Sequence, residues 1–254
     1  MAFNLASIST EQRHLPPRMI VLGTPKVGKT TFASQAPGVV LLPITGEEGA
    51  DAMTCSKFPT AQTFDDVMAA IQSLAEEAHN FQYVCIDSAS ALERVIWQAA
   101  CQANKWPSIE HPGYGKGYVE ALQYWSRLME GLDWLRNNKG MGSILIGHVK
   151  TRVFNDPMAD PYDVFQWDVQ DRASSALLKW SDCILFARHR QMVKKVGDSK
   201  NPDFHAVGSG ERVLLTEERP AHPGGARKGF NSAQYEIPLN WAAWEQSVAA
   251  AMKV

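Results

Sequence analysis

The chain has no apolar stretch that approaches the ~18–20 residues of a membrane-spanning helix. No apolar leader core stands at its amino terminus. The expectation is a protein of the cytoplasm that does not enter a membrane. Cysteine is scarce: Cys55, Cys85, Cys101 and Cys183 form no CxxC pair and have no histidine cluster beside them. That excludes a zinc module or a disulfide frame, and Cys85 and Cys183, inside apolar runs, read as buried thiols in a reducing compartment. Charge of one sign is missing too. A net charge of −2 excludes coating nucleic acid by bulk positive potential, so any such contact must come from local loops. Internal repeats and low-complexity tracts are absent. What remains is ordinary globular composition, 45% apolar and 20% charged, over a length that fits one large domain.

The apolar patterning divides the chain. Residues 1–17 are polar, end in Pro16-Pro17 and read as a lead-in; residues 18–254 read as a single domain. Short apolar runs at Met19–Leu22, Val39–Ile44, Tyr83–Ile86, Ser143–Gly147 and Cys183–Ala187 suit buried strands. Helical spacing appears at 30–35, at 64–79 with Thr63 as N-cap, and from about 88 to 105. A long helix carries Leu122, Trp125, Leu128, Met129, Leu132 and Leu135, and Asn137–Gly140 ends it. Residues 151–176, with Pro157 and Pro161, show no period and read as a long loop, functional or mobile. Gln191–Val196 and Arg212–Thr216 read as an antiparallel pair, and 240–252 as a terminal helix. The alternation predicts an α/β fold: a mostly parallel central sheet flanked by helices, with a β-rich C-terminal edge.

One motif dominates. Gly23, Thr24, Pro25, Lys26, Val27, Gly28, Lys29 and Thr30 fit G-x-x-x-x-G-K-[ST], with a strand before and a helix after, and Thr31 continues into that helix. Backbone N–H groups of such a loop converge on phosphate oxygens. Lys29 would reach the β- and γ-phosphates, and the Thr30 hydroxyl would ligate Mg²⁺. Asp87 ends the run Tyr-Val-Cys-Ile-Asp, where a carboxylate beside a P-loop can hold Mg²⁺; Asp87 or Ser88 can equally cap the next helix. Glu47 and Glu48 follow the second strand, and either can act on an attacking water. His148 ends the fourth strand and can sense a terminal phosphate. Lys150 and Arg152 follow; they suit nucleic acid, a neighbour's phosphate or plain solvent. Tyr162, Phe165 and Trp167 with Arg172 lie in the 151–176 segment, where they either stack the bases of a single strand or pack the loop. Arg227 and Lys228, between glycines, suit a finger reaching a neighbouring subunit's nucleotide or an ordinary solvated turn.

Gly28-Lys29-Thr30-Thr31, the Glu after the second strand, Ile-Asp-Ser-Ala-Ser-Ala-Leu at 86–92 and Leu-Ile-Gly-His at 145–148 together resemble the RecA/Rad51-like ATPase core. The resemblance runs over roughly residues 18–240. It is strongest to phage-encoded, core-only recombinases associated with single-strand annealing, which Tyr114-Gly-Lys-Gly-Tyr118 also resembles. It implies ATP with Mg²⁺, hydrolysis stimulated by DNA, single-stranded DNA as partner, and rings or filaments whose sites are completed between subunits, in a host bacterial cytoplasm. Within it, Glu47 matches the catalytic glutamate, with Glu48 left open. His148 matches the polar sensor, and Arg227-Lys228 loosely match the trans-acting basic fingers. The alternative expectation is a nucleotide-gated accessory of phage replication or packaging that recognises protein.

Overall fold

The computed structural model describes residues 5, 8–11, 13–156, 160–196 and 203–253, with backbone alone at 192–196 and 203–207. A central sheet forms around β1 (Arg18–Gly23), whose Met19–Leu22 run is wholly buried. β2 (Val39–Pro43), β4 (Tyr83–Asp87) and β5 (Gly142–Phe154) lie to one side, with the two-residue β3 (Ser56–Lys57) at the edge. β7 (Cys183–Val196), β8 (Asp203–Leu215) and β10 (Glu236–Pro238) lie to the other. The order is β3-β2-β4-β5-β1-β7-β8-β10, parallel from β3 to β7 and antiparallel beyond. The expected mostly parallel sheet with a β-rich C-terminal edge is therefore what the chain forms.

Side-chain alternation divides the core. Ile20, Leu22, Val84, Ile86 and Leu145 face α2 (Phe64–Glu76), α3 (Ala89–Asn104), α4 (Lys116–Asn138) and α5 (Asp171–Trp180). Met19, Val21, Cys85, Ile144 and Ile146 face α1 (Lys29–Ser34) and α6 (Trp241–Ala251). Because α1 leaves β1 on one face and α2 to α5 cover the other, a crevice opens at the carboxyl ends of β1 and β5, where open α/β sheets bind ligands. At the opposite end, Asp182 ties the elements together. It accepts from the Arg18 backbone N–H at 3.0 Å and guanidinium at 2.9 Å, and it pairs with Arg136 at 2.9 Å and Arg227 at 3.1 Å.

Three expectations need correction. Residues 151–176 are not a structureless loop. β5 runs on to Phe154, β6 (Tyr162–Trp167) pairs back on it from Val149↔Trp167 to Phe154↔Tyr162, and α5 follows. The arm has solvent on much of its surface, so its alternation carries no clean apolar face. Pro157 lies outside the described residues. Second, Cys183–Ala187 and Gln191–Val196 are one strand with a register shift between His189 and Gln191. Arg212–Leu215 therefore pairs with Phe186–His189, not with 191–196. Third, Trp167 is 1% exposed and packs in the main core. Its indole is unavailable to stack on a base, because the β5–β6 pairing turns it inward. Cys85 and Cys183 are buried, and burial pushes both thiols upward in pKa.

Candidate active site

The loop Thr24–Gly28 joins β1 to α1, with Gly28 at φ 107°, a left-handed conformation that favours glycine. Lys29, the first residue of α1, turns its side chain back under the loop and is 4% exposed. Its ammonium donates to Gly23 O and Thr24 O, both at 2.9 Å, and meets His148 Nδ1 at 3.3 Å. Those are the three donors an ammonium has. Because that ammonium only donates, His148 Nδ1 accepts. Nε2 then carries the proton and donates to Glu47 Oε1 at 2.9 Å. Ser88 Oγ donates to the same Oε1 at 2.7 Å. Glu47 Oε2 has no hydrogen-bond partner among the described residues.

On the other side of Lys29, Thr30 Oγ1 donates to Asp87 Oδ2 at 2.7 Å. Ser88, not Asp87, caps α3: its hydroxyl accepts from Ala91 N–H at 3.2 Å. Asp87 is thereby left facing the P-loop. Gly49 comes close to this pair; a side-chain carbon there would lie 3.1 Å from Thr30 Oγ1. The acidic loop itself is fixed by Lys57, whose ammonium donates to Ala50 O at 3.0 Å and Asp51 O at 3.2 Å.

These contacts set the electrostatics. Burial pulls the Lys29 ammonium down to about 8, against the upward pull of Asp87 and Glu47. Glu47 is held below the usual carboxylate range, first by its hydrogen bond to His148 and then by Ser88, which outweigh its burial. Burial raises the Asp87 carboxyl, with the Thr30 hydroxyl opposing. Glu48 is exposed but lines the same cavity, about 500 Å³, with Pro25, Lys26, Met53 and Arg212.

The other candidates lie apart from this cluster. Lys150 pairs with Asp168 at 3.0 Å, and Arg152 reaches Gln166 at 3.2 Å, both on the β5–β6 arm. Arg172 opens α5 and points toward Gly115. A second cavity of about 1090 Å³ runs between the arm, α5 and residues 218–223. Arg227 follows β9 (Gly225–Ala226), which pairs with the amino end of β7, and its guanidinium is taken by Asp182 and Lys179 O. Lys228 is exposed beside it. Neither approaches the P-loop of its own chain. Sequence reasoning missed Ser88 as a partner of Glu47, Lys57 as the clamp on the acidic loop, Arg212 at the cavity wall, and the full exposure of Tyr114, which it noted only within the Tyr114–Tyr118 segment. Tyr114 is 99% exposed at φ 49° between two glycines. A large aromatic between turn-forming glycines was the available signal for Tyr114.

The family described as AAA domain matches residues 15–228. The chain belongs to that family, and the P-loop at Gly23–Thr30 lies within the matched residues. No curated protein matches the sequence. One solved structure, titled as the crystal structure of the RadB recombinase, is 20% identical with a TM-score of 0.43, over 83% of this chain and 86% of that one. No helix among the described residues is long and apolar enough to cross a membrane.

Proposed function

We propose that this protein binds ATP with Mg²⁺, hydrolyses it slowly unless stimulated, and uses the cycle to bind single-stranded DNA and promote its annealing. One observation carries the nucleotide half. Lys29, His148, Glu47 and Ser88 form a continuous hydrogen-bonded chain directly beside the Thr30–Asp87 pair. Ser88 and His148 both donate to Oε1 of Glu47, which fixes the carboxylate and leaves Oε2 to hold a water and take its proton. Its lowered pKa keeps it ionised for that task. Lys29 would exchange its carbonyl partners for phosphate oxygens, and His148 would sense that exchange through Nδ1.

The Mg²⁺ expectation fits the residues present. No group of three or more His, Cys, Asp or Glu able to hold a metal occurs among the described residues. Mg²⁺ characteristically keeps several waters and takes one or two protein oxygens plus substrate phosphates. The Thr30 hydroxyl and the Asp87 carboxylate are such oxygens, and the ion would supply charge neutralisation on the phosphates.

The DNA half rests on the carboxyl-edge surface. The exposed Tyr114, the neighbouring Arg172 and the cationic arm residues Lys150 and Arg152 offer stacking and phosphate contacts without a large positive field. Trp167 is not part of that surface. Self-association into a ring or filament, a phage-type role in a host cytoplasm, and Arg227-Lys228 acting on a neighbour's nucleotide belong to the same reading. A second reading has its own support. Val153 and Phe154, 57% and 45% exposed on the arm, are apolar groups suited to a protein partner. ATP hydrolysis measured with and without a single-stranded oligonucleotide separates the two. Stimulation lost in Lys29→Ala supports the DNA reading; a rate indifferent to DNA, with no shift of a labelled oligonucleotide, sinks it in favour of a protein-gated switch.

A further inference from the structure

Arg212 stands at the wall of the P-loop cavity, and nothing in the motif accounts for it. Its position follows from strand periodicity. On β8, Leu214 belongs to the core layer that holds Val27 and Phe32, whereas Val213 and Leu215 face the opposite layer. Arg212, two residues before Leu214, shares its face but lies beyond the core's end, over the P-loop. The backbone there is fixed: Arg212 pairs with His189, and its carbonyl accepts from Leu239 N–H at 3.1 Å. Its guanidinium lies 3.2 Å from where a side-chain carbon on Gly28 would be, with Leu239 at 3.5 Å from the same point.

The neighbouring arginines are occupied. Arg188 donates to His189 O and Gln191 Oε1. Arg190 takes Glu211 and Glu236. The adjacent carboxylate of Glu211 is thus used by Arg190, and Arg212 has no ion pair or hydrogen bond from its side chain among the described residues. An unpaired guanidinium aimed at a site built for a polyanion is a cation in search of one. The charge balance of the cavity agrees. Lys26, Lys29 and Arg212 offset Glu47, Glu48 and Asp87; without Arg212 the lining would be net negative.

We infer that Arg212 is a phosphate-binding residue acting within its own chain, donating to the α- and β-phosphates of the bound nucleotide. The assignment rests on the nucleotide reading above. The sheet order decides which phosphates. His148 on β5 and Glu47 beyond β2 mark the reacting end on one side of β1, while Arg212 approaches across β7 from the other. It therefore meets the phosphates that ADP and ATP share. Guanidinium–phosphate bonds are charge-assisted and strong, so truncation should weaken both nucleotides together.

The test is titration with a fluorescent ADP analogue and Mg²⁺, with ADP and a non-hydrolysable ATP analogue as competitors, on wild type, Arg212→Ala, Arg212→Lys and Lys29→Ala. Arg212 is exposed, and circular dichroism checks that the variants fold. Arg212→Ala is expected to weaken both nucleotides roughly 10- to 100-fold, by the same factor within about twofold, with Arg212→Lys intermediate. ADP affinity within about twofold of wild type in Arg212→Ala, alongside loss in Lys29→Ala, overturns the assignment and leaves the nucleotide reading standing. A loss confined to the ATP analogue overturns it as well, since that places Arg212 at the γ-phosphate. A wild type that binds neither nucleotide overturns both.

Discussion

Lys29 should make nucleotide binding depend on pH between about 7 and 9. The side chain is almost completely buried, and burial brings its pKa from 10.5 down to about 8. Only the ammonium form donates charge-assisted bonds to phosphate. With half-titration near pH 8, about nine-tenths of the unliganded protein is protonated at pH 7 and about one-tenth at pH 9. ADP affinity should therefore fall about tenfold between these values, which is about 1.4 kcal/mol. Bound phosphate restores the charge, so binding near pH 9 takes up close to one proton. Titration of a fluorescent ADP analogue from pH 6.5 to 9.5 gives the first quantity; calorimetry in two buffers of different ionisation enthalpy gives the second. Lys29→Arg, charged throughout, should lose the dependence. The stability trend has the opposite sign. Between about pH 8 and 10.5 the unfolded chain binds more protons at this position than the folded one, so the unliganded protein gains stability from Lys29 as pH rises. Affinity that stays flat to pH 9.5, with no proton uptake, would refute the burial argument.

Three other outcomes are expected. Glu47→Gln should slow ATP hydrolysis by about 10²- to 10⁴-fold while ADP still binds; the same loss in Glu48→Gln with Glu47→Gln active would move the base to Glu48. Trp167→Ala should cost about 3–5 kcal/mol in urea unfolding, as for a large core side chain; an unchanged midpoint with weaker oligonucleotide binding would return this residue to the surface. Asp182→Ala strands Arg18, Arg136 and Arg227 and should cost about 3–5 kcal/mol. Burial pushes the Asp182 carboxyl up, but the Arg18 hydrogen bonds and charges outweigh it and hold it low. Its contribution is present above the ordinary aspartate value and lost as pH falls through the depressed one. An acid-unfolding midpoint unchanged in the variant would count against the network.

The buried strands and the P-loop were legible because each rests on a short, strongly constrained pattern. Met19–Leu22 is apolar at every position because helices cover both faces of the sheet. The β5–β6 arm was not legible, since a ribbon wetted on much of its surface needs no apolar period. Trp167 was left between stacking and packing for the same reason: its inward turn depends on register with Val149, which no local signal sets. At the site, Glu47, Asp87 and His148 stood out as polar groups just beyond apolar strands. Ser88 was hidden by its second role as a helix cap. Arg212 was hidden because its neighbour across the cavity wall, Gly28, lies far away in sequence. Arg227 looked free in the sequence only because Asp182, its partner, is also remote.

β5 is one unbroken hydrogen-bonded rod from Gly142, under the core, to Phe154 at the end of the arm, and His148 lies halfway along it. The six residues from His148 to Phe154 span ~20 Å at ~3.3 Å each. A tilt of about 5° with its pivot at His148 would swing Phe154 by ~2 Å, enough to open or shut a contact. A small turn of the strand at His148, where the imidazole meets Lys29, would thus be carried along the arm with a displacement that grows toward Phe154. Stiffness, not a flexible hinge, is what would carry the signal from the phosphate to the outer surface.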